Sequence, residues 1–245
     1  MGRFTKQIRG SFFPLYCSVC GEKITGEPIS RAMCRTCYEA YCTEVKAGCA
    51  VCGRDYAHCF CHPEPFFPDD FVFALPYNKM DGVCRKLILS CKNRKNTPVM
   101  EEFVTMAVSA AEKRGILSEE LVLTYVPRAP EKEIHTGVDQ AKELARGIAR
   151  KTGLRLRHLI GHRMLTDEQK SRSYGERMVA SEDAYYLLPG AGGEMAGRTV
   201  LLVDDVVTTG ATVNTCTELL REGGAKAVIC LAAARSVKSY REFMR

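Results

Sequence analysis

The segment Thr199-Val-Leu-Leu-Val-Asp-Asp-Val-Val-Thr-Thr-Gly-Ala-Thr212 sets two adjacent carboxylates, Asp204 and Asp205, after an apolar run. A turn rich in hydroxyls follows, with one glycine, and then a helical pattern. The order has chemical meaning. Backbone N–H groups at a helix N-terminus, together with the positive end of its dipole, favour an anion. Gly210 allows close backbone approach or a positive φ. Thr208, Thr209 and Thr212 add hydroxyl donors, completing a cup for a phosphate monoester. The two acids would repel that phosphate, so their use lies elsewhere. Vicinal hydroxyls of a ribose would donate to them, and Mg²⁺ could sit nearby. The competing reading is a strand running into an ordinary helix cap, since Asp and Thr are common at helix starts. The chain has neither G-x-x-x-x-G-K-[ST] nor G-x-G-x-x-G, so no other nucleotide motif competes.

Cysteine supplies the second chemistry. Of thirteen cysteines, nine lie between Cys17 and Cys61. Cys17-x2-Cys20 and Cys34-x2-Cys37 are separated by thirteen residues. Two such knuckles can complete a tetrahedral thiolate site, the closed geometry of structural Zn²⁺. Cys49-x2-Cys52 with Cys59-x-Cys61 is expected to form a second site, in which Cys42, His58 or His62 could replace one ligand. An Fe–S cluster, a redox dithiol or free buried thiols are the alternatives. A closed tetrathiolate site has no open coordination position, so its contribution is folding rather than catalysis. Cys84, Cys91, Cys216 and Cys230 fall in apolar patterns and read as small buried hydrophobes.

The elements that must position these groups follow from periodicity. A composition break near residue 63 divides a Cys-rich, turn-rich part, poor in helical periodicity, from an α/β pattern. The expected organisation is a zinc-binding domain over 1–63, a Pro-rich linker over 64–70 and an α/β domain over 71–245. Pro63, Pro65 and Pro68 forbid regular helix in the connection. Strands are expected at Phe71–Tyr77, Leu121–Val126, Leu154–Ile160, Thr199–Val203 and Ala227–Ala233. Helices are expected at Asp81–Lys92, Pro98–Arg114, Gly137–Lys151 and Thr212–Arg221, and a loop at Arg163–Ser181. Strands alternating with helices imply a parallel sheet covered on both faces. Ligands in such sheets bind beyond the carboxyl ends of the strands.

Net charge is +6, and residues 1–70 carry eight basic and eight acidic side chains, so the whole excess falls in the α/β part. A basic domain suits a phosphate-rich small molecule or a nucleic acid. The stretch 142–177 holds ten Lys or Arg against four acids, enough for a basic cover over the site. No apolar run approaches the length of a membrane span. Residues Met1–Gln7 lack the apolar core of a secretion signal, and position 6 is Lys where a myristoylation pattern wants Ser or Thr. A cytoplasmic protein is expected.

Val203-Asp-Asp-Val-Val-Thr-Thr-Gly-Ala-Thr212 resembles the 5-phosphoribosyl-1-pyrophosphate (PRPP) motif of type I phosphoribosyltransferases. The resemblance implies that Asp204 and Asp205 bind the ribose hydroxyls. The 5′-phosphate would fall to Thr208, Thr209, Gly210 and Thr212, with backbone help from Val207 and Ala211. The pairing of Cys knuckles with such a domain resembles the ComF family, which is linked to natural competence and is often termed amidophosphoribosyltransferase-like. The likeness runs from Cys17 to Arg235. It is carried by Leu89-Ser-Cys-Lys92, by the Val126-Pro127 turn, by Gly137-Val-Asp-Gln-Ala-Lys-Glu-Leu-Ala145, and by Thr166-x-x-Gln169 with Arg177. The sequence departs from the family where Glu131 and Glu133 flank Lys132, where Thr136-Gly-Val-Asp-Gln140 replaces Arg-Gly-Phe-Asn-Gln, and at Ala180 in place of Asn. These departures fall on the pyrophosphate and acceptor side.

The resemblance implies a Mg²⁺-dependent displacement at ribose C1 with pyrophosphate leaving. Lys92, Arg128, Arg163 and Arg177 are the candidates to neutralise the leaving group, with Asp204, Asp205, Lys92 and Arg128 as the catalytic set. The rival expectation is a PRPP or nucleotide sensor coupled to single-stranded DNA or to a competence helicase in DNA uptake. No general base, acceptor or oligomeric state follows from the residues.

Overall fold

The computed structural model describes residues 14–49, 52–62, 65–77, 82–92, 96–164 and 184–236. Its centre is a five-stranded sheet in which every pairing is parallel. The strands are β1 (Asp70–Tyr77), β2 (Val122–Tyr125), β3 (Arg155–Leu156), β6 (Thr199–Val207) and β7 (Ala227–Ser236), in the order β1-β7-β6-β2-β3. A separate antiparallel ribbon joins β4 (Ile160–His162) to β5 (Tyr185–Leu187). The helices are α1 (Arg35–Lys46), α2 (Val83–Cys91), α3 (Thr97–Arg114), α4 (Pro130–Thr136), α5 (Gln140–Thr152), α6 (Ala191–Met195) and α7 (Ala211–Glu222).

The central strands are apolar throughout because both sheet faces are covered. Val200, Leu201, Leu202 and Val203 of β6 are fully buried. Leu201 and Val203 join a core with α2, α3 and α5, while Val200 and Leu202 join one with α6 and α7. Helix ends follow local chemistry. Asn96 caps α3 by accepting from Val99 N, and Gly115 closes the helix at φ 72°. Asp139 caps α5 by accepting from Lys142 N. No helix among the described residues is long and apolar enough to cross a membrane.

Four expectations are corrected. The Cys-rich part contains a twelve-residue helix, α1. Its apolar stripe, Tyr38, Tyr41, Cys42 and Val45, has helical spacing and packs on the main core; polar residues between these positions and the nearby cysteines obscure the period. The helix expected over 137–151 begins only at Gln140, after the Asp139 cap, and a short helix that was not expected, α4, precedes it and is closed by Gly137 at φ 69°. The strand expected over 154–160 splits into β3, which pairs with β2, and β4, which turns away to meet β5. Finally, β6 does not end at Val203. It stays paired with β7 through Val207, so both acids lie inside the ladder. Residues 165–181 of the expected loop lie outside the described residues.

The Pro-rich connection is held to the sheet domain. Asn214 of α7 accepts from Phe67 N (2.9 Å) and donates to Pro65 O (2.8 Å). Phe66 packs on Phe71 at 5.1 Å between ring centroids. The Cys-rich part is fastened as well. Glu44 of α1 accepts from Val83 N (2.8 Å) and Cys84 N (3.2 Å), capping α2 where Gly82 brings no side-chain cap of its own. Cys17, Ala32, Met33 and Tyr41 share one core with α2 and α3.

Candidate functional site

Side chains alternate across a strand, so consecutive acids within the β6 ladder diverge. Asp205 lines a cavity of about 220 Å³ together with Tyr77, Lys92, Gln140 and Thr208. Asp204 lies on the side of Cys216 and Cys230, whose thiol pKa values are pushed up by burial and by the Asp204 charge. Burial raises the Asp204 carboxyl well above the usual range, and the neighbouring Asp205 charge adds to the effect. The two carboxylates thus bracket the end of β6.

The loop after Val207 delivers the chain to α7 through Gly210, which takes φ 81° and ψ −7°. That conformation is strained for any residue with a Cβ. Gly210 brings no side chain to cap α7, Thr209 Oγ1 accepts from Ala211 N at a long 3.5 Å, and a helical bond runs from Asn214 N to Gly210 O at 2.8 Å. The amides of the first turn have no intrahelical acceptor, so the helix presents N–H groups and its positive dipole end beside Thr208, Thr209 and Thr212. Gly210→Val is expected to raise the Kd for a ribose 5-phosphate ligand about tenfold, since a β-branched residue at this φ costs roughly 1–3 kcal/mol. Titration of the variant checks this.

A hydrogen-bonded hub faces this loop. Gln140, 4% exposed, donates to Cys91 O (2.7 Å) and Lys92 O (2.9 Å) at the end of α2. It accepts from the Arg128 guanidinium, which also donates to Lys92 O and Val138 O, each at 3.4 Å. Asp139 accepts from Arg128 N at 3.1 Å, fixing the turn after Pro127. Burial raises the Asp139 carboxyl, against hydrogen bonds from the Lys142 and Arg128 amides. Lys92 is exposed and lines the cavity with Asp205 and Thr208. The geometry therefore separates two expected partners: Lys92 borders the cavity, whereas Arg128 spends its guanidinium on carbonyls that hold the cavity wall. Arg163 lies over the Tyr186 ring at 5.4 Å, and Arg177 is outside the described residues.

Sequence reasoning missed Tyr185. This side chain from β5 hydrogen-bonds Thr212 and lies within reach of the Asp204 charge; burial holds its hydroxyl protonated. Its ring meets His162 edge-on at 4.7 Å. The signal was present in the short apolar run Ala184–Leu188, rich in residues that favour strands.

Residues 137–242 match the phosphoribosyl transferase domain. The chain has the α/β architecture of that fold. Over 82 residues, 34% of this chain and 13% of the relative, it is 33% identical to amidophosphoribosyltransferase 2, chloroplastic, of Arabidopsis thaliana. Among solved structures it is similar to the allosteric regulatory enzyme of purine biosynthesis, with TM-score 0.42 and 20% identity over 61% of this chain and 30% of that one. It is likewise similar to the glutamine PRPP amidotransferase of B. subtilis, with TM-score 0.41 and 18% identity over 60% and 30% of the two chains. The chain thus spans less than a third of these relatives' lengths.

The parallel-sheet domain abuts two groups of cysteines. The Sγ atoms of Cys17, Cys20, Cys34 and Cys37 lie within 4.8 Å of one another, as do those of Cys49, Cys52, Cys59 and Cys61. These are the two quartets expected from spacing, and Cys42, His58 and His62 stand outside both. A tetrahedral Zn–S₄ site has S···S edges of about 3.8 Å. The Cys20–Cys34 and Cys52–Cys59 separations are 3.8 and 3.6 Å, and none of the eight forms a disulfide among the described residues. Both donor sets fit Zn²⁺. Burial opposes ionisation of Cys17, but the amides of Cys20, Cys34 and Val19 bring its pKa down to about 7, which favours the thiolate that a metal needs. Cys84, Cys91, Cys216 and Cys230 are buried, as expected of small core side chains.

Proposed function

We propose that this chain binds PRPP through the end of β6 and the start of α7, and acts as a Mg²⁺-dependent phosphoribosyltransferase-like protein of the ComF type. The observation that carries the reading is the N-terminus of α7 behind a left-handed Gly210 that brings no cap of its own, one short loop after two carboxylates that diverge across β6. Two hard oxygen donors beside a phosphate cup suit a ribose phosphate with Mg²⁺ better than a free anion.

In this reading Thr208, Thr209, Thr212 and the amides from Val207 to Ala211 hold the 5′-phosphate. Asp204 and Asp205 accept hydrogen bonds from the ribose hydroxyls, and Tyr185 helps to seat Thr212. Lys92 meets pyrophosphate from the far wall of the cavity, while Arg128 fixes the turn that shapes the wall. As charge leaves C1, Lys92 stabilises the pyrophosphate oxygens, a term that grows toward the transition state. When bound, Mg²⁺ supplies further charge neutralisation on the leaving group. The two Cys quartets hold structural zinc and add folding energy to a segment too small to build a core alone.

A non-catalytic PRPP sensor, acting with single-stranded DNA or a helicase, is the second reading. It is favoured by the internal use of basic groups on the pyrophosphate side: Arg128 is bound to carbonyls, and Lys142 pairs with Glu133 at 3.2 Å. ³¹P NMR of PRPP with Mg²⁺ and a panel of amine acceptors separates the two. Acceptor-dependent pyrophosphate release, lost in Asp205→Asn, is expected for a transferase. Bound PRPP that persists unchanged across the panel supports the sensor.

A further inference from the structure

Arg235 is the largest fully buried side chain among the described residues, 2% exposed near the carboxyl end of β7. Its Nη1 donates to the carbonyl of Cys61, and its guanidinium stands 5.7 Å from the centre of the Phe73 ring. Its Nε and Nη2 are buried without a hydrogen-bond acceptor among the described residues. A buried guanidinium left uncompensated costs several kcal/mol, so a cation here calls for a negative charge close by.

The second Cys quartet adjoins it through Cys61, whose carbonyl takes the Nη1 hydrogen bond. Cys49 and Cys59 are 4% and 0% exposed and belong to the core cluster that includes Tyr56 and Phe73. Four thiolates around one Zn²⁺ carry a formal charge of −2, and Cys49 and Cys59 would place it against this apolar core. The other arginines near it are already used. Arg114 pairs with Asp70 at 2.7 Å and stacks on Phe60, while Arg54 lies over the Phe60 ring at 5.8 Å. Two costs that are each unfavourable alone, an orphaned cation and a buried dianionic centre, cancel if they meet.

We propose that Arg235 is the counter-ion of a zinc tetrathiolate at Cys49, Cys52, Cys59 and Cys61. It is a positioning residue rather than a ligand, neutralising the centre from outside through Cys61 and the surrounding dipoles. One consequence reaches the ligand site. Arg235 stands in register with Val207 on β6 and Pro76 on β1, so the pair fastens the second quartet to the sheet where the phosphate loop begins.

The proposal rests on the metal reading of that quartet, and the test separates the two. Zinc per chain is measured first on the full-length protein, followed by the kinetics of zinc release to excess chelator. Two zinc ions per chain and two release phases are expected. Arg235→Gln keeps a donor toward Cys61 O but removes the charge. It should accelerate one phase about tenfold or more, the scale of outer-shell effects on metal sites, and leave the other phase at the wild-type rate. That unchanged phase shows that the variant is folded. Arg235→Lys should stay within about threefold of wild type, since it retains the charge. Wild-type release from the Gln variant, or equal acceleration by Gln and Lys, overturns the counter-ion assignment. A single zinc ion in the wild type overturns the metal reading itself.

Discussion

Replacing Cys59 by Ser will lower the melting temperature of the zinc-loaded chain by roughly 6–12 °C. Cys59 is fully buried within the second quartet, and its thiol, when not ionised, is held so chiefly by burial and by neighbouring Cys49 and Cys52. A serine hydroxyl is a poor substitute for a soft thiolate toward Zn²⁺. Loss of one ligand of four forfeits part of a binding energy that is folding energy, and about 3 kcal/mol translates into that shift for a chain of this size. The effect spreads because the Cys-rich part does not stand apart. Tyr56, two residues from His58 and three from Cys59, packs on Phe73 of β1 at 5.4 Å between centroids. Differential scanning calorimetry with and without chelator checks the prediction. Wild-type protein stripped of zinc should approach the melting temperature of the variant or fall below it.

Asp204→Asn is expected to act in the opposite direction on stability. The folded state raises this carboxyl's pKa through burial first and the Asp205 charge second. A group whose folded pKa exceeds its unfolded value contributes its stability below the unfolded pKa, near 3.9 for Asp, and loses that stability as pH rises through the folded value. At neutral pH the wild type therefore carries a penalty, either for ionising the buried carboxyl or for keeping its proton, that the neutral amide avoids. The variant should melt a few degrees higher at pH 7–8, and the gap should close as pH falls toward 4. A destabilised site of this kind is what a ligand-binding carboxylate pair would look like without its ligand. The same variant should bind PRPP at least ten times more weakly, since hydrogen bonds to a charged acceptor are worth about 1.5–3 kcal/mol. Thermal melts across pH, with and without PRPP and Mg²⁺, read both effects. An equal melting temperature at all pH values would contradict the burial account of Asp204.

Much of this was legible in the residues because the signals were local. A continuous apolar strand, two acids, a hydroxyl-rich turn and Gly210 specify their own geometry, and the structure builds them in that order. The two cysteine quartets were legible for the same reason: a Cys-x-x-Cys turn aims its own thiols. What escaped notice depends on distant parts of the chain. The continuation of β6 to Val207 is set by its pairing with β7, not by its own composition. Helix α1 draws its stability from Met106 and the core beyond it, where Tyr41 donates to the Met106 sulfur. Tyr185 reaches the phosphate loop only because the β4–β5 ribbon folds back. Arg128 looked like a ligand from its position after Val126-Pro127, but Gln140 and the end of α2 hold it from twelve and thirty-six residues away. The Pro-rich stretch read as a connection, and Asn214, 147 positions further on, binds it to α7.

The central claim is that PRPP binds at Asp204–Thr212. The most direct test is calorimetric titration of the zinc-loaded chain with PRPP and Mg²⁺, run beside the Asp204→Asn/Asp205→Asn double variant. Saturable binding by the wild type, reduced at least a hundredfold in a variant that melts cooperatively, is the predicted result. Absence of binding by folded wild type, or equal binding by both proteins, would contradict it.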